Sequence, residues 1–367
     1  MVNDYPTPGS SMKHPFQPAS AKTISVLTIN VWFGLEERGI LKMKPLESEE
    51  RREKRYQILV KELRALQPDF VAIQEANPIP QYSRRLATDL GYDEIHQVYN
   101  GGIKIGNLGV PINLRMGLVV LSKKRFNLRW AGSRQISGDP FGIYGDFFCF
   151  HFTDSRHVMA GVASVEGKPL SIVHTHTYAG PPDRRETFHL LDHYRNQGKI
   201  SQEEYQTYLS TLRRIFRRQE QEIEKILAFL KMTAGAEPAV LLGDFNMTED
   251  NPLMAHLIEE GRLLDTYRIA NPEKEGITWD GNNNENTALS GMSPSNRGYL
   301  RSVYGQMRAE YDRKSRRIDY IFLNAAFRSD QILESRVVLD KAVGGVRASD
   351  HYGVMAIVSL RPGCGHR

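Results

Sequence analysis

Cysteine is almost missing from this 367-residue chain. There are two, Cys149 and Cys364, far apart in sequence. That scarcity excludes a disulfide framework and a zinc site built on thiolates. Long apolar runs are also missing: nothing approaches the roughly 18 consecutive apolar residues that a membrane span requires. The chain therefore reads as cytoplasmic or peripheral to a membrane. No internal repeat and no flexible linker interrupts it, which points to a single domain over residues 22–361. Residues 1–21 are rich in Pro and Ser and show no apolar core. They read as a disordered leader without a visible signal peptide, and 362–367 as a short tail. Charge of one sign is not dominant either. The net charge of +5 suits an anionic partner, whether phospholipid surface or nucleic acid, and selects neither.

What is present is an irregular alternation of strands and helices. Ile24 to Asn30 and Phe70 to Ile73 are short apolar strands. Between them, Tyr56, Leu59, Val60, Leu63 and Leu66 recur at helical spacing, which predicts a helix over 49–66. Gly117 to Ser122, 146–152, 158–165 and Pro169 to Val173 read as further strands, with 146–152 and 158–165 as a pair. Ser201 with Glu204 forms a capping box that opens a long helix reaching Leu230. Asn251 caps a later helix with Pro252 at its first position and Gly261 just past its end. Ile318 to Leu323 and Val354 to Leu360 close the series. Two packed, mostly antiparallel sheets flanked by helices fit this order best.

Chemistry concentrates at strand ends. The apolar stretch Pro238 to Leu242 ends in Gly243-Asp244-Phe245-Asn246, which delivers a carboxylate and a carboxamide to one rim of a sheet. Similar ends are Thr28-Ile29-Asn30, Ile73-Gln74-Glu75, Val173-His174 and Ser349-Asp350-His351. Alone, each is an ordinary turn after a strand. Together they supply the parts for metal-assisted phosphoester hydrolysis. Glu75 is a natural ligand for Mg²⁺, with Mn²⁺ as an alternative, since both favour hard oxygen donors. A zinc site on His174 and His176 is the rival, disfavoured because no Cys or further His is suitably spaced.

In their order, these segments resemble the endonuclease/exonuclease/phosphatase superfamily over roughly residues 22–360. The motifs are Leu27 to Trp32, Pro68 to Glu75, Val173 to Gly180, Leu242 to Met247, Arg317 to Tyr320, and Ser349 to His351. The resemblance implies a four-layered α/β sandwich with its site at one end of the two sheets. It also implies roles. Asn30 and Glu75 touch the metal or its water, and His351 is the general base, paired with Asp350 in sequence and oriented by Asp319. Asp244 positions water or leaving group, Asn246 and His174 donate to the phosphate, and His176 is a substrate contact or a solvated loop histidine. Asn30-Val31-Trp32 and the His-Thr-His-Thr-Tyr-Ala-Gly segment are similar to the neutral sphingomyelinase branch. Many members carry a Glu before Met116 to Ser122, where this chain has Arg115; sphingomyelinase-like members also lack it.

Three other features are less specific. Arg213, Arg214, Arg217 and Arg218, and the cluster from Arg313 to Arg317, read first as solvated faces and second as contacts for phosphates. Phe141, Tyr144, Phe147, Phe148, Phe150 and Phe152 read first as a core strand and second as a membrane-contacting surface. The polar loop from Thr278 to Asn286 opens on Trp279 and is a candidate border of the substrate. The expectation is a monomeric Mg²⁺-dependent phosphodiesterase, sphingomyelinase-like first. A DNA nuclease or DNA-end phosphodiesterase is second, and an inactive binding module of the same fold third.

Overall fold

The structure is a computed structural model. It describes residues 23–34, 46–100, 116–138, 155–181, 183–290 and 309–360, with the backbone of 103–105, 108–110, 142–144 and 149–151. The leader, the tail and Arg115 lie outside the described residues, as do Phe141, Phe147, Phe148 and Phe152, while Tyr144 and Phe150 are described in backbone only.

The chain opens with β1 (Thr23–Asn30), α1 (Glu49–Leu66), β2 (Phe70–Ala76), α2 (Gln81–Leu90) and β3 (Tyr92–Asn100). A small ribbon, β4 (Ile103–Ile105) and β5 (Leu108–Val110), precedes β6 (Met116–Lys123) and β7 (Arg129–Ser137). A second ribbon, β8 (Gly142–Tyr144) and β9 (Cys149–His151), leads to β10 (Arg156–Val165) and β11 (Lys168–His176). Then come α3 (Arg184–Asn196), α4 (Gln202–Ala234), β12 (Ala239–Asp244), α5 (Pro252–Gly261), β13 (Leu264–Asp265) and α6 (Thr266–Ala270). The last elements are α7 (Glu285–Ser290), β14 (Asp319–Leu323), β15 (Ile332–Val338) and β16 (Gly353–Ser359).

Two six-stranded sheets result, ordered β15-β16-β1-β2-β6-β3 and β13-β14-β12-β11-β10-β7. Each is antiparallel except for one central parallel pair, β1 with β2 and β11 with β12. Alternating apolar residues fill the space between the sheets: Val26, Phe70, Leu118 and Val120 from one meet Ile172, Val240, Leu242 and Ile321 from the other. The opposite faces are covered by helices. Tyr56, Leu59 and Leu63 of α1 and Leu86 of α2 pack on the first sheet. Ile223, Ile226 and Phe229 of α4 and Met254 and Leu257 of α5 pack on the second. The fold is thus a four-layered α/β sandwich.

Two expectations need correction. Strand 149–151 does not pair with the strand beginning at Arg156; β9 pairs with β8, and β10 pairs with β11 and β7. The cause is the Glu166-Gly167 turn. Both residues take positive φ, 50° and 77°, the two-residue hairpin geometry that joins twisted antiparallel strands directly. In addition, Gly261 is the last residue of α5, and Arg262 takes the left-handed position beyond it at φ 48°.

Gly243 shows why the two parallel strands can approach at the chemical end. Its φ is 148°, and a Cβ there would lie 1.9 Å from the Thr175 carbonyl oxygen. Because the obstacle is backbone, Gly243→Ala is expected to destabilise the protein by about 3 kcal/mol or more through overpacking. The urea midpoint measures this.

Candidate active site

The parallel pairs run their C-terminal ends to the same edge, so the ends of β1, β2, β11 and β12 converge. Strand register alone aligns His176 with Asp244 and Asp244 with Asp319 on three neighbouring strands. Glu75 arrives by a different device. The β2–β6 ladder shifts register between Ile73 and Ala76, and Glu75 adopts φ 59°. Such a bulge re-aims a side chain, and here it turns Gln74 between the sheets and Glu75 into the cluster.

The Asn30 carboxamide links the two sheets. Its Nδ2 donates to Glu75 Oε1 at 3.1 Å and to Asp244 Oδ2 at 3.0 Å, while its Oδ1 accepts the Trp32 N–H at 3.0 Å. As placed, Asn30 presents donors to the carboxylates and spends its oxygen on the backbone. The expectation that it is a metal ligand therefore meets an amide turned the other way. Glu75 Oε2 accepts the Phe33 N–H at 3.2 Å.

His351 Nδ1 lies 2.9 Å from Asp319 Oδ2, and its Nε2 points toward Asp244 Oδ2 at 3.8 Å. Burial works against a charged imidazole, but Asp319, Asp244 and Asp350 outweigh it and hold the His351 pKa well above its usual value. Burial and the neighbouring Asp319 push the Asp244 carboxyl up to about 7. Burial, with Glu75 nearby, pushes Asp350 up to about 6. Glu75 is raised by burial as well. These are crowded acids in a site nearly closed to water. Asp244, Asp319 and His351 each offer an atom within 4.8 Å of the others, close enough to share one cation.

The two histidines of the His-x-His segment have different surroundings. His176 faces the cluster: its Nε2 is 3.4 Å from Asp244 Oδ2 and 3.9 Å from Glu75 Oε1. Tyr99 OH and Arg156 Nη1 approach its Nδ1 at 2.9 and 3.0 Å. Arg156 Nη1 also lies 3.2 Å from Nε2, so a donor faces both ring nitrogens, and Nε2 faces the carboxylates as well. Burial and then Arg156 keep its pKa well below normal, so the ring is neutral. His174, two residues earlier on the same face, lies deeper by about 6.6 Å of strand rise. It is fully buried against Gln74 Nε2 at 2.5 Å, with its pKa pushed down to about 3 by burial. The phosphate-donor role expected of His174 thus falls on a side chain enclosed between the sheets, while His176 occupies the facing position. Asn246, at φ 50°, gives one amide hydrogen to the Thr177 carbonyl at 3.1 Å and keeps a second.

Arg156 and Tyr99 carried no motif in the sequence, and Gln74 stood inside one without a role. Tyr99 and Gln74 reach their histidines across the two sheets, whereas Arg156, on β10, reaches His176 from the neighbouring strand of the same sheet. The polar loop expected to border the substrate supports the site from behind and reaches His351 through Trp279. Asn284 Nδ2 donates to the Ser349 and Asp350 carbonyls, both at 3.0 Å, and Asn286 Nδ2 to Ser349 at 2.9 Å. Thr278 Oγ1 accepts the Ile318 and Asp319 N–H groups at 3.1 and 3.2 Å. Trp279 packs edge-on against the His351 ring, with centroids 5.1 Å apart. Ser349 Oγ donates to the Asn30 carbonyl at 2.6 Å, joining this segment to β1. Behind it, buried Arg55 donates to Glu47, to the Val31 and Trp32 carbonyls and to the Ala348 carbonyl at 2.7–3.1 Å.

Comparison with known proteins agrees with this architecture. The model for the endonuclease/exonuclease/phosphatase family matches residues 27–351. No curated protein matches. Among solved structures, a protein of that family from Bacteroides thetaiotaomicron is similar, with a TM-score of 0.56 and 14% identity over 95% of this chain and 100% of the other. One from Bacteroides vulgatus gives 0.55 and 16% over 92% and 99%. D. rerio TDP2 complexed with a single-strand DNA product gives 0.54 and 15% over 91% and 98%. At these identities the likeness is one of fold.

The buried Arg55–Glu47 pair generates a test. Arg55→Leu takes from buried Glu47 its closest partner, leaving Arg51 and Arg52 at 3.7 and 3.8 Å, and should cost about 3 kcal/mol, whereas adding Glu47→Leu should recover part of that loss. Chemical denaturation of the two variants checks the sign of the recovery.

Proposed function

The chain belongs to the endonuclease/exonuclease/phosphatase family, and from that premise we propose that it is a divalent-metal-dependent phosphodiesterase acting on nucleic-acid strands. Members of the family hydrolyse phosphoester bonds. The observation that carries the reading is the His351–Asp319 pair at 2.9 Å beside a buried cluster of carboxylates.

The donor set suits a hard cation. Asp319 Oδ1 is buried with no hydrogen-bond partner among the described residues, and the acids around it are crowded to the point of raised pKa. Glu75 would hold Mg²⁺ or Mn²⁺ with a neighbouring acid, Asp244 or Asp350; no thiolate favours zinc. Once bound, a divalent cation neutralises charge on the phosphoryl oxygens.

The remaining work belongs to side chains. His351, whose pKa the surrounding acids raise, must be in its neutral form to take the proton of the attacking water at Nε2, with Asp319 fixing the ring by holding Nδ1–H. His176 and the free amide hydrogen of Asn246 donate to phosphoryl oxygens, with Arg156 holding His176 neutral. Asn30 orients Glu75 and Asp244. Fixed donors of this kind need no reorganisation as charge develops.

Support for nucleic acid comes from the similar fold of a TDP2 bound to a single-strand DNA product and from the arginine-rich rim beside the site. A choline phospholipid is the second reading, favoured by the Asn30-Val31-Trp32 and His176-Thr177-Tyr178-Ala179-Gly180 sequences.

A substrate panel of single-stranded, nicked and abasic DNA, sphingomyelin vesicles and inositol phosphates decides among them. Turnover of DNA should vanish in excess EDTA and return with Mg²⁺ or Mn²⁺; full turnover in EDTA would refute the metal requirement. Sphingomyelin hydrolysis without DNA cleavage would transfer the assignment to lipid. His351→Gln should lower kcat by about 10²–10⁴-fold with unchanged circular dichroism. A variant turning over at the wild-type rate would show that another group is the base.

A further inference from the structure

The chemical cluster leaves one charged surface unused, on the long helix α4. Its C-terminal half is core: Ile223, Ile226, Phe229 and Leu230 pack on the second sheet. Its N-terminal half, with α3, forms a separate apolar cluster of Leu191, Tyr194, Leu212 and Phe216 that also takes in Tyr311. Arg213, Arg214, Arg217 and Arg218 fall within about 140° of helix circumference, opposite the buried Leu212, Ile215, Phe216 and Gln219.

This ridge begins at the rim of the site. The Arg218 guanidinium stacks 3.8 Å over the Tyr178 ring, two residues beyond His176. Buried Glu222, one turn further along, accepts the Tyr178 N–H at 2.8 Å and takes Arg218 Nε at 3.3 Å, so the platform is fixed from behind. Arg213, Arg214 and Arg217 are exposed, and Arg214 and Arg217 have no hydrogen-bond or ion-pair partner among the described residues. The nearby acids are already engaged: Glu220 pairs with Arg184 at 2.7 Å and Glu186 with Lys314.

From this placement we infer that the α4 ridge is a track for a single nucleic-acid strand leaving the scissile phosphate, with Tyr178–Arg218 as the stacking platform at its start. The inference rests on the phosphodiesterase reading and specifies how its substrate is held. Arginines one turn apart repeat every 5.4 Å or so, near the spacing of successive phosphates, and an aromatic face beside a guanidinium takes an unpaired base. A membrane-surface helix would instead carry large apolar side chains beside its basic ones. The exposed large apolar residues among the described ones are Trp130, Met232, Ile269, Leu333 and Val343; only Met232 is on α4, at its far end.

The test uses the full chain and the Arg214→Ala/Arg217→Ala double variant. Binding of a fluorescent single-stranded oligonucleotide is followed by anisotropy across a salt series, beside Mg²⁺-dependent turnover of bis(p-nitrophenyl) phosphate. The variant should bind the oligonucleotide more weakly, with a log–log salt slope shallower by about 1.4, near 0.7 for each phosphate that is no longer neutralised. Its turnover of the small diester should match wild type. An unchanged slope overturns the track, and so does an equal fall in small-diester turnover, which would tie the arginines to the reaction itself. Weakened binding to anionic phospholipid vesicles with unaltered oligonucleotide binding would make the ridge a membrane-binding face instead. A wild-type protein inert toward the small diester would count against the proposed activity, whereas the salt slope would still test the track.

Discussion

One carboxamide holds two sheets at the point where their chemistry meets. Asn30, at the end of a strand in the first sheet, donates to Glu75 beside it and to Asp244 in the second. Isolated buried carboxylates at such distances would repel one another and resist leaving water. The bridging amide reduces that repulsion without adding charge. Because its own oxygen is fixed by the Trp32 N–H, the amide cannot flip without breaking all three bonds. The spacing of the remaining acids follows from that anchor.

Around this anchor, the protein holds its site from outside rather than from within. The acids and His351 are supported by groups with no part in the chemistry: Thr278 under Asp319, Asn284 and Asn286 under Ser349 and Asp350, Arg55 under the loops on either side. Most of these supports donate to or accept from backbone. Backbone partners do not change with protonation, so the scaffold keeps its shape while the cluster it carries gains or loses protons.

Much of the architecture was legible because local signals agreed with global packing. The helix at 49–66 and the capping box at Ser201 stand where apolar spacing and capping chemistry put them. Central strands were readable as apolar runs because both of their faces are buried. Edge strands were not: β3, Tyr-Asp-Glu-Ile-His-Gln-Val-Tyr-Asn, and β7, with two arginines and a half-exposed Trp130, expose one side and lose the apolar signature. In the candidate site, Asn30, Glu75, Asp244, Asp319, Asp350 and His351 lie together, each at or beside a strand end. Depth was invisible. His174 and His176 share a face, and nothing in a period of two says which of them reaches the rim. Nor could the sequence show the bulge at Glu75, which depends on pairing with a strand some 40 residues away in the chain.

The long helix has a consequence for how such a chain can change. Helix α4 runs unbroken for 33 residues, with one half sealed into the sandwich and the other carrying the arginine ridge. The two halves are therefore phase-locked. Deleting a single residue near Phe216 would rotate the outer half by about 100° and turn Arg213 and Arg214 out of line with Arg217 and Arg218, whereas adding about seven would return them nearly to register two turns further out. Length variation in this segment is constrained less by stability than by arithmetic: the outer half can be extended or shortened only in steps close to whole turns if its face is to remain toward the same side of the molecule.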